Sequence, residues 1–131
     1  MFDVTVDPAL RLMRITMRGF WSAMTMAEYS SVVRRKMGMM LSGRGCRYIL
    51  IDMIDFPIQS KEIAEGHAAF LRIVSERGGT RVALVMQSAL SKLQAARVAS
   101  DTGHATFDSE EAAIAWLLSD TQDGKAEQLA S

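Results

Sequence analysis

The residues able to do chemistry gather where an apolar run gives way to polar ones. Ser60 follows Asp55-Phe56-Pro57-Ile58-Gln59 and precedes Lys61-Glu62. A serine in front of a helix accepts a backbone N–H from the first turn. A phosphate on the same hydroxyl would gain from the free N–H groups and dipole of the helix start, with Lys61 adding a cation beside it. The readings are compatible, and the cap is the primary one. Glu62, Glu65 and His67 are close in sequence. Glu62 and Glu65 can share a helix face, but Glu65 and His67 diverge, so no metal site is expected. Cys46 is the single cysteine; with no base near it in sequence it reads as an inert, partly buried thiol. His104 reads as a residue at a strand start, bonded to backbone or water. Arg77-Gly78-Gly79-Thr80 lacks the lysine spacing of a phosphate loop. Paired cysteines, His-Glu-x-x-His, a calcium loop and a Gly-x-Ser-x-Gly elbow are absent. The expectation is a non-enzymatic protein without cofactor or metal.

Two binding surfaces stand out instead. Asp55, Phe56, Gln59 and Lys61, with Gln87 and Ser88 on a later turn, are candidate contacts for a protein partner. Phe56 is either exposed on that loop or folded back onto the sheet. Ten methionines are many for this length, and Met24, Met26, Met37, Met39 and Met40 concentrate around one segment. They serve either as flexible core fillers or as an adaptable apolar surface for a lipid-like ligand or another subunit. Phe20, Trp21, Met24, Met37, Met40 and Phe70 are the candidate lining of such a pocket.

The elements that place these residues follow from periodicity. Phe2, Val4 and Val6 alternate with Asp3 and Thr5, and Met13, Ile15 and Met17 alternate with Arg14, Thr16 and Arg18. Asp7-Pro8-Ala9-Leu10 suits the turn between them, giving an antiparallel hairpin with one wet face, Val4 opposite Met13 and Asp3 opposite Arg14. Thr25 and Glu28 form a capping-box pattern before Tyr29, Val32, Val33, Met37, Met40 and Leu41 at helical spacing. Arg34, Arg35 and Lys36 fall late in that helix, as a solvated face. Ser42-Gly43-Arg44-Gly45 is a loop. Tyr48 to Asp52 is a strand buried on both faces, stopped by Pro57. Ser60 opens a helix with Ile63, Ala64, Phe70, Leu71 and Val74 inward and His67 on or beside that stripe; Gly78-Gly79 closes it. Arg81 to Met86 is a second continuous apolar strand. Ser88 caps a third helix carrying Leu90, Leu93 and Val98, ended by Gly103. His104 to Phe107 is a short strand, and Asp108 with Glu111 starts a last helix packed through Ile114, Trp116, Leu117 and Leu118.

The order is β-β-α-β-α-β-α-β-α: an α/β chain with an N-terminal β-hairpin continuing into a mixed sheet of about five strands with four helices, the later crossovers parallel and right-handed. At 131 residues one domain is expected, spanning 1–118, with 119–131 a polar tail. Fifteen basic and fifteen acidic residues cancel, leaving no global field to draw nucleic acid or an anionic membrane. No charged segment leads into an apolar stretch at the N-terminus, and no apolar run approaches the ~20 residues that span a bilayer. With a lone cysteine, a reducing cytoplasm is the expected location. The hairpin's open edge could pair with a second copy as a homodimer.

This order and these lengths resemble the STAS domain, whose bacterial anti-sigma factor antagonists share an N-terminal hairpin, a buried third strand and a Ser or Thr capping the next helix. Arg47-Tyr48-Ile49-Leu50-Ile51-Asp52 resembles that strand, and Ser60 falls near the serine their partner kinase phosphorylates. Those proteins read Asp-Ser-Ser-Gly or Asp-Ser-Thr-Gly there; this chain reads Gln59-Ser60-Lys61-Glu62, without the Asp and Gly. A closer resemblance is to the SpoIIAA-like subgroup, related to the CRAL-TRIO lipid-carrier fold. Gly19-Phe20-Trp21, Arg81-Val82-Ala83-Leu84-Val85 and the stretch from Thr106 to Leu117 carry it. The resemblance implies a protein-interaction module docking partners near Ser60, or a carrier of an apolar ligand.

Overall fold

The alternating N-terminal segments close into an antiparallel hairpin of β1 (Phe2–Asp7) and β2 (Leu12–Met17) in a computed structural model that describes residues 1–41, 46–77, 79–87 and 104–119. Val4 lies opposite Ile15 and Thr5 opposite Arg14. The expected register, with Val4 opposite Met13 and Asp3 opposite Arg14, is therefore displaced by two residues. Asp7 remains in the strand, and its Oδ1 accepts the N–H groups of Ala9 (3.0 Å) and Leu10 (3.2 Å). Arg11 turns the chain back at φ 57°. A shift of two preserves which face each side chain occupies, so the apolar face of the hairpin is retained.

From β2 onward the strands run parallel. β3 (Tyr48–Asp52), β4 (Arg81–Val85) and β5 (Ala105–Phe107) extend a sheet in the order β1-β2-β3-β4-β5. Helix α1 (Ala23–Leu41) joins β2 to β3, and α2 (Lys61–Arg77) joins β3 to β4. Residues 110–119 form α3 after β5. The helix expected after Ser88 lies outside the described residues, as do the Ser42-Gly45 loop and the tail beyond Ser119. Ser119 is itself helical, with its hydroxyl donating to the Trp116 carbonyl at 2.6 Å. No described helix is long and apolar enough to cross a membrane.

The period-two alternation of the strands builds a core on each side of the sheet. Met13, Ile15, Ile49, Ile51, Val82 and Leu84 face α1 and α2, and meet Tyr29, Val33, Ile63 and Val74. Leu12, Tyr48, Leu50, Ala83 and Val85 face the other way, under Ala113 and Leu117 of α3. Strand β3 is thus buried on both faces, which is why its apolar run is unbroken. The face of β2 expected to be wet is partly covered: Arg14 pairs with Glu110 at 2.7 Å. The Arg81 guanidinium lies 4.0 Å from the centroid of the Trp116 ring, and both contacts tie α3 down.

Local starts and stops differ from expectation in three places. Helix α1 is capped by Ser22, whose Oγ accepts the Thr25 N–H at 3.2 Å, so Thr25 sits inside the first turn rather than ahead of it. Ser109, not Asp108, caps α3 by accepting the Ala112 N–H at 3.2 Å. Strand β3 ends at Asp52, before Pro57, because Asp52 Oδ1 takes the Ile54 N–H at 3.0 Å and Phe56 N–H closes a turn onto the Met53 carbonyl at 3.1 Å.

The two-sided burial of β3 sets a measurable contrast. Ile51→Ala should cost about 2–5 kcal/mol in urea unfolding, whereas Ile73→Ala, at a side chain 52% exposed on α2, should stay within about 0.5 kcal/mol of the wild type.

Candidate binding site

The carboxyl edge of the sheet is formed by two loops that hold each other. Gly19, at φ 71°, lets the chain leave β2 sharply. Its N–H donates to the Asp55 carbonyl at 3.1 Å. The Gln59 side chain completes the junction: Oε1 accepts the Trp21 N–H at 2.8 Å, and Nε2 donates to the carbonyls of Gly19 (2.9 Å) and Pro57 (2.8 Å). Gln59 is therefore an internal staple between loops distant in sequence, not a free partner contact. Gln59→Ala would orphan those backbone groups, so it should cost about 1–3 kcal/mol and speed hydrogen exchange at the Trp21 amide; unchanged exchange there would rule the staple out.

Behind the staple the aromatic side chains pack at steep angles, some edge to face and some tilted. Trp21 contacts Phe2, Tyr29, Phe56 and His67, with centroids 5.0–5.6 Å apart, and its Nε1 donates to the Arg18 carbonyl at 3.1 Å. Phe56 is buried and packs perpendicular to His67. It is a core residue rather than an exposed contact, because the turn at Met53 swings its ring under α2. Trp21 belongs to the same core and lines neither hollow described below. Two polar atoms in the cluster, Tyr29 Oη and His67 Nε2, are buried without a hydrogen-bond partner. Burial pushes the Tyr29 phenol well above its ordinary range and holds His67 at about 4, below its usual 6.5. Between those two pH values the unfolded chain binds a proton at His67 that the folded chain refuses. Stability contributed by the neutral imidazole is thus complete above pH 6.5 and lost as pH falls toward 4. Denaturation midpoints should fall more steeply over this window in the wild type than in His67→Phe.

Among the described residues, two hollows lie beside α2. One, of about 180 Å³, lies at the β3–α2 junction between the sheet, the 53–59 loop and the inner face of α2; Met17, Met53, Phe56, Phe70, Met86 and His67 are on its wall. His104, buried just before β5, reaches the same wall. The second, a groove of about 410 Å³ between α1 and α2, is bounded by Met26, Tyr29, Met37 and Phe70 among others. The Met26 side chain fills the space beside Gly66, with its Cε 2.7 Å from where a Cβ would stand. Phe70 faces both hollows.

Other candidate residues fall on the surface. Ser60 is exposed and caps α2: its Oγ accepts the Ile63 N–H at 3.4 Å and its carbonyl the Ala64 N–H at 2.9 Å. Lys61 is exposed, with Nζ 3.9 Å from Glu65. Asp55 and Gln87 are exposed; Ser88 and the Met40 side chain lie outside the described residues. Phe20 (79% exposed) and Met24 (72%) point away from both hollows rather than into one. Ile54 (41%) and Ile58 (51%) are exposed on the facing loop, with Ile58 also at the rim of the smaller hollow. Cys46 donates to the Tyr48 carbonyl at 3.2 Å, and burial raises its thiol.

Sequence reading missed Ile54, Ile58, Met53, Met86 and the inward role of His67. The one available signal was His67 beside an apolar helical stripe; the others depend on how the junction loop folds.

No family model and no curated protein matches this chain. A solved structure does resemble it: an uncharacterised protein of the DUF3478 family with a SpoIIAA-like fold, from Shewanella loihica PV-4. The two share 15% identity at a TM-score of 0.68, over 88% of this chain and 93% of that one. The chain has a SpoIIAA-like, STAS-type fold.

Proposed function

We propose that this chain is a non-enzymatic, SpoIIAA-like regulatory module that docks a protein partner on the two stapled loops at the carboxyl edge of the sheet. The observation carrying this reading is Phe20, 79% exposed on a loop tied by Gln59 to the one bearing Ile54 and Ile58. Exposed apolar side chains held on a rigid edge are characteristic of recognition surfaces. Asp55, Lys61 and Gln87 supply polar groups on the exposed surface. Ser60 acts as a helix cap, and no phosphoswitch is required. Captures from cell extract with wild type, Phe20→Ser/Ile58→Lys and the control Ile73→Lys should differ in one way: a stoichiometric partner retained by the first and third is lost from the second. Its retention by the double variant would sink the reading. Ser60→Ala should keep the partner while costing about 1 kcal/mol of stability.

The hollow at the β3–α2 junction favours a second reading, in which the domain carries or senses an apolar ligand between sheet and helices. Its support is the methionine and phenylalanine wall and the shared Phe70 partition.

A further inference from the structure

The groove between α1 and α2 keeps polar groups that no neighbour has claimed. Its wall is mainly apolar, with Met26, Val33 and Met37 of α1 beside Phe70 and Ile73 of α2. Ile73 is 52% exposed there, so apolar surface meets water in a concave place. Tyr29 adds only its ring, since its hydroxyl is shielded from solvent. Arg34 is the one charged residue on the wall, and Ser30 stands beside it. Four residues apart, the two share a face of α1. Among the described residues neither side chain has a hydrogen-bond or ion-pair partner. Gly38 leaves the far end open, since nothing stands within 4 Å of where its Cβ would be.

We infer that this groove binds an unbranched aliphatic monocarboxylate, with its chain along the methionine wall and its carboxylate on Arg34 and Ser30. The inference gives the ligand-carrying reading a ligand class and a place, and rests on it. Charge sets the head group. A guanidinium presents paired N–H donors that match a carboxylate, and a serine hydroxyl adds a further donor. No acidic residue lines the groove to compete for them. Shape sets the tail. The wall runs along α1 from Met26 to Gly38, about 18 Å of helix at a rise of about 1.5 Å per residue. That length suits an extended chain better than a compact ring. At about 410 Å³ the groove falls in the range of about 300–1,000 Å³ that small-molecule sites occupy. Methionine side chains adapt to a chain that has no fixed shape of its own.

The test is an NMR titration of the full chain, isotope-labelled at its methionine methyl groups, with dodecanoate and with dodecyltrimethylammonium below their micelle thresholds. The two chains are equal in length and opposite in charge. Dodecanoate should shift the Met26 and Met37 methyl signals saturably and bind about fivefold or more tightly than the cation. Arg34→Gln should shrink that gap. Arg35→Gln, at an exposed residue outside the wall, should leave it in place. Equal binding of the two chains, a gap that Arg34→Gln does not change, or an equal loss in Arg35→Gln overturns the carboxylate assignment. Shifts confined to Met17, Met53 and Met86 overturn the groove as the site and leave the ligand-carrying reading standing on the junction hollow. No shift with either chain overturns both. Arg34 is exposed, so its replacement does not put folding at risk.

Discussion

Strand β3 has no side left for water, and that constraint orders the rest of the domain. Ile49 and Ile51 must be covered by α1 and α2, while Tyr48 and Leu50 must be covered by α3. Parallel neighbours on both sides satisfy its backbone, and each parallel neighbour requires a crossover long enough to hold a helix. The hairpin can therefore occupy only an edge, and the chain must leave β3 at the carboxyl end of the sheet. The loops that form the candidate site are the consequence of that exit.

The exit is held by side-chain chemistry rather than by regular structure. Gln59 offers one acceptor and two donors and uses them on backbone groups of two loops. This fixes Trp21 and Phe56 inward against His67 and leaves Phe20 and Ile54 outward, with Ile58 half exposed at the rim of the smaller hollow. One staple thus defines both the exposed edge and the interior wall behind it. The interior is not fully satisfied in polar terms: Tyr29 Oη and His67 Nε2 remain without partners. The surrounding aromatic packing supplies the stability that tolerates them, since edge-to-face pairs add to area burial.

Much of this architecture was legible from residue pattern. Alternation in Phe2–Val6 and Met13–Met17 gave the hairpin, and the unbroken run at Tyr48–Asp52 gave a strand buried on both faces. The hairpin register was ambiguous because shifts of two residues leave the facing pattern unchanged. Cap positions were misplaced where adjacent polar residues compete. Ser22 and Thr25 both suit an N-cap, as do Asp108 and Ser109, and the choice depends on where the entering loop points. Phe56 and Gln59 changed roles for a related reason. Both are loop residues by sequence, and only the turn from Met53 to Phe56 sends one ring inward and aims one amide across at Gly19.

The sequence by itself determined the order of the described elements, the two-sided burial of β3, the sheet edge where Ser60 caps α2, and which residues are apolar enough to form a core. These depend on periodicity and on chemistry between near neighbours. Tertiary structure alone decided that Gln59 bridges to Trp21, that Phe20 and Met24 face solvent while Met53 and Met86 line a cavity, and that His67 sits unpartnered at its wall. Those outcomes depend on contacts between residues tens of positions apart, whose geometry is set when loops close against each other and leaves no mark in local spacing.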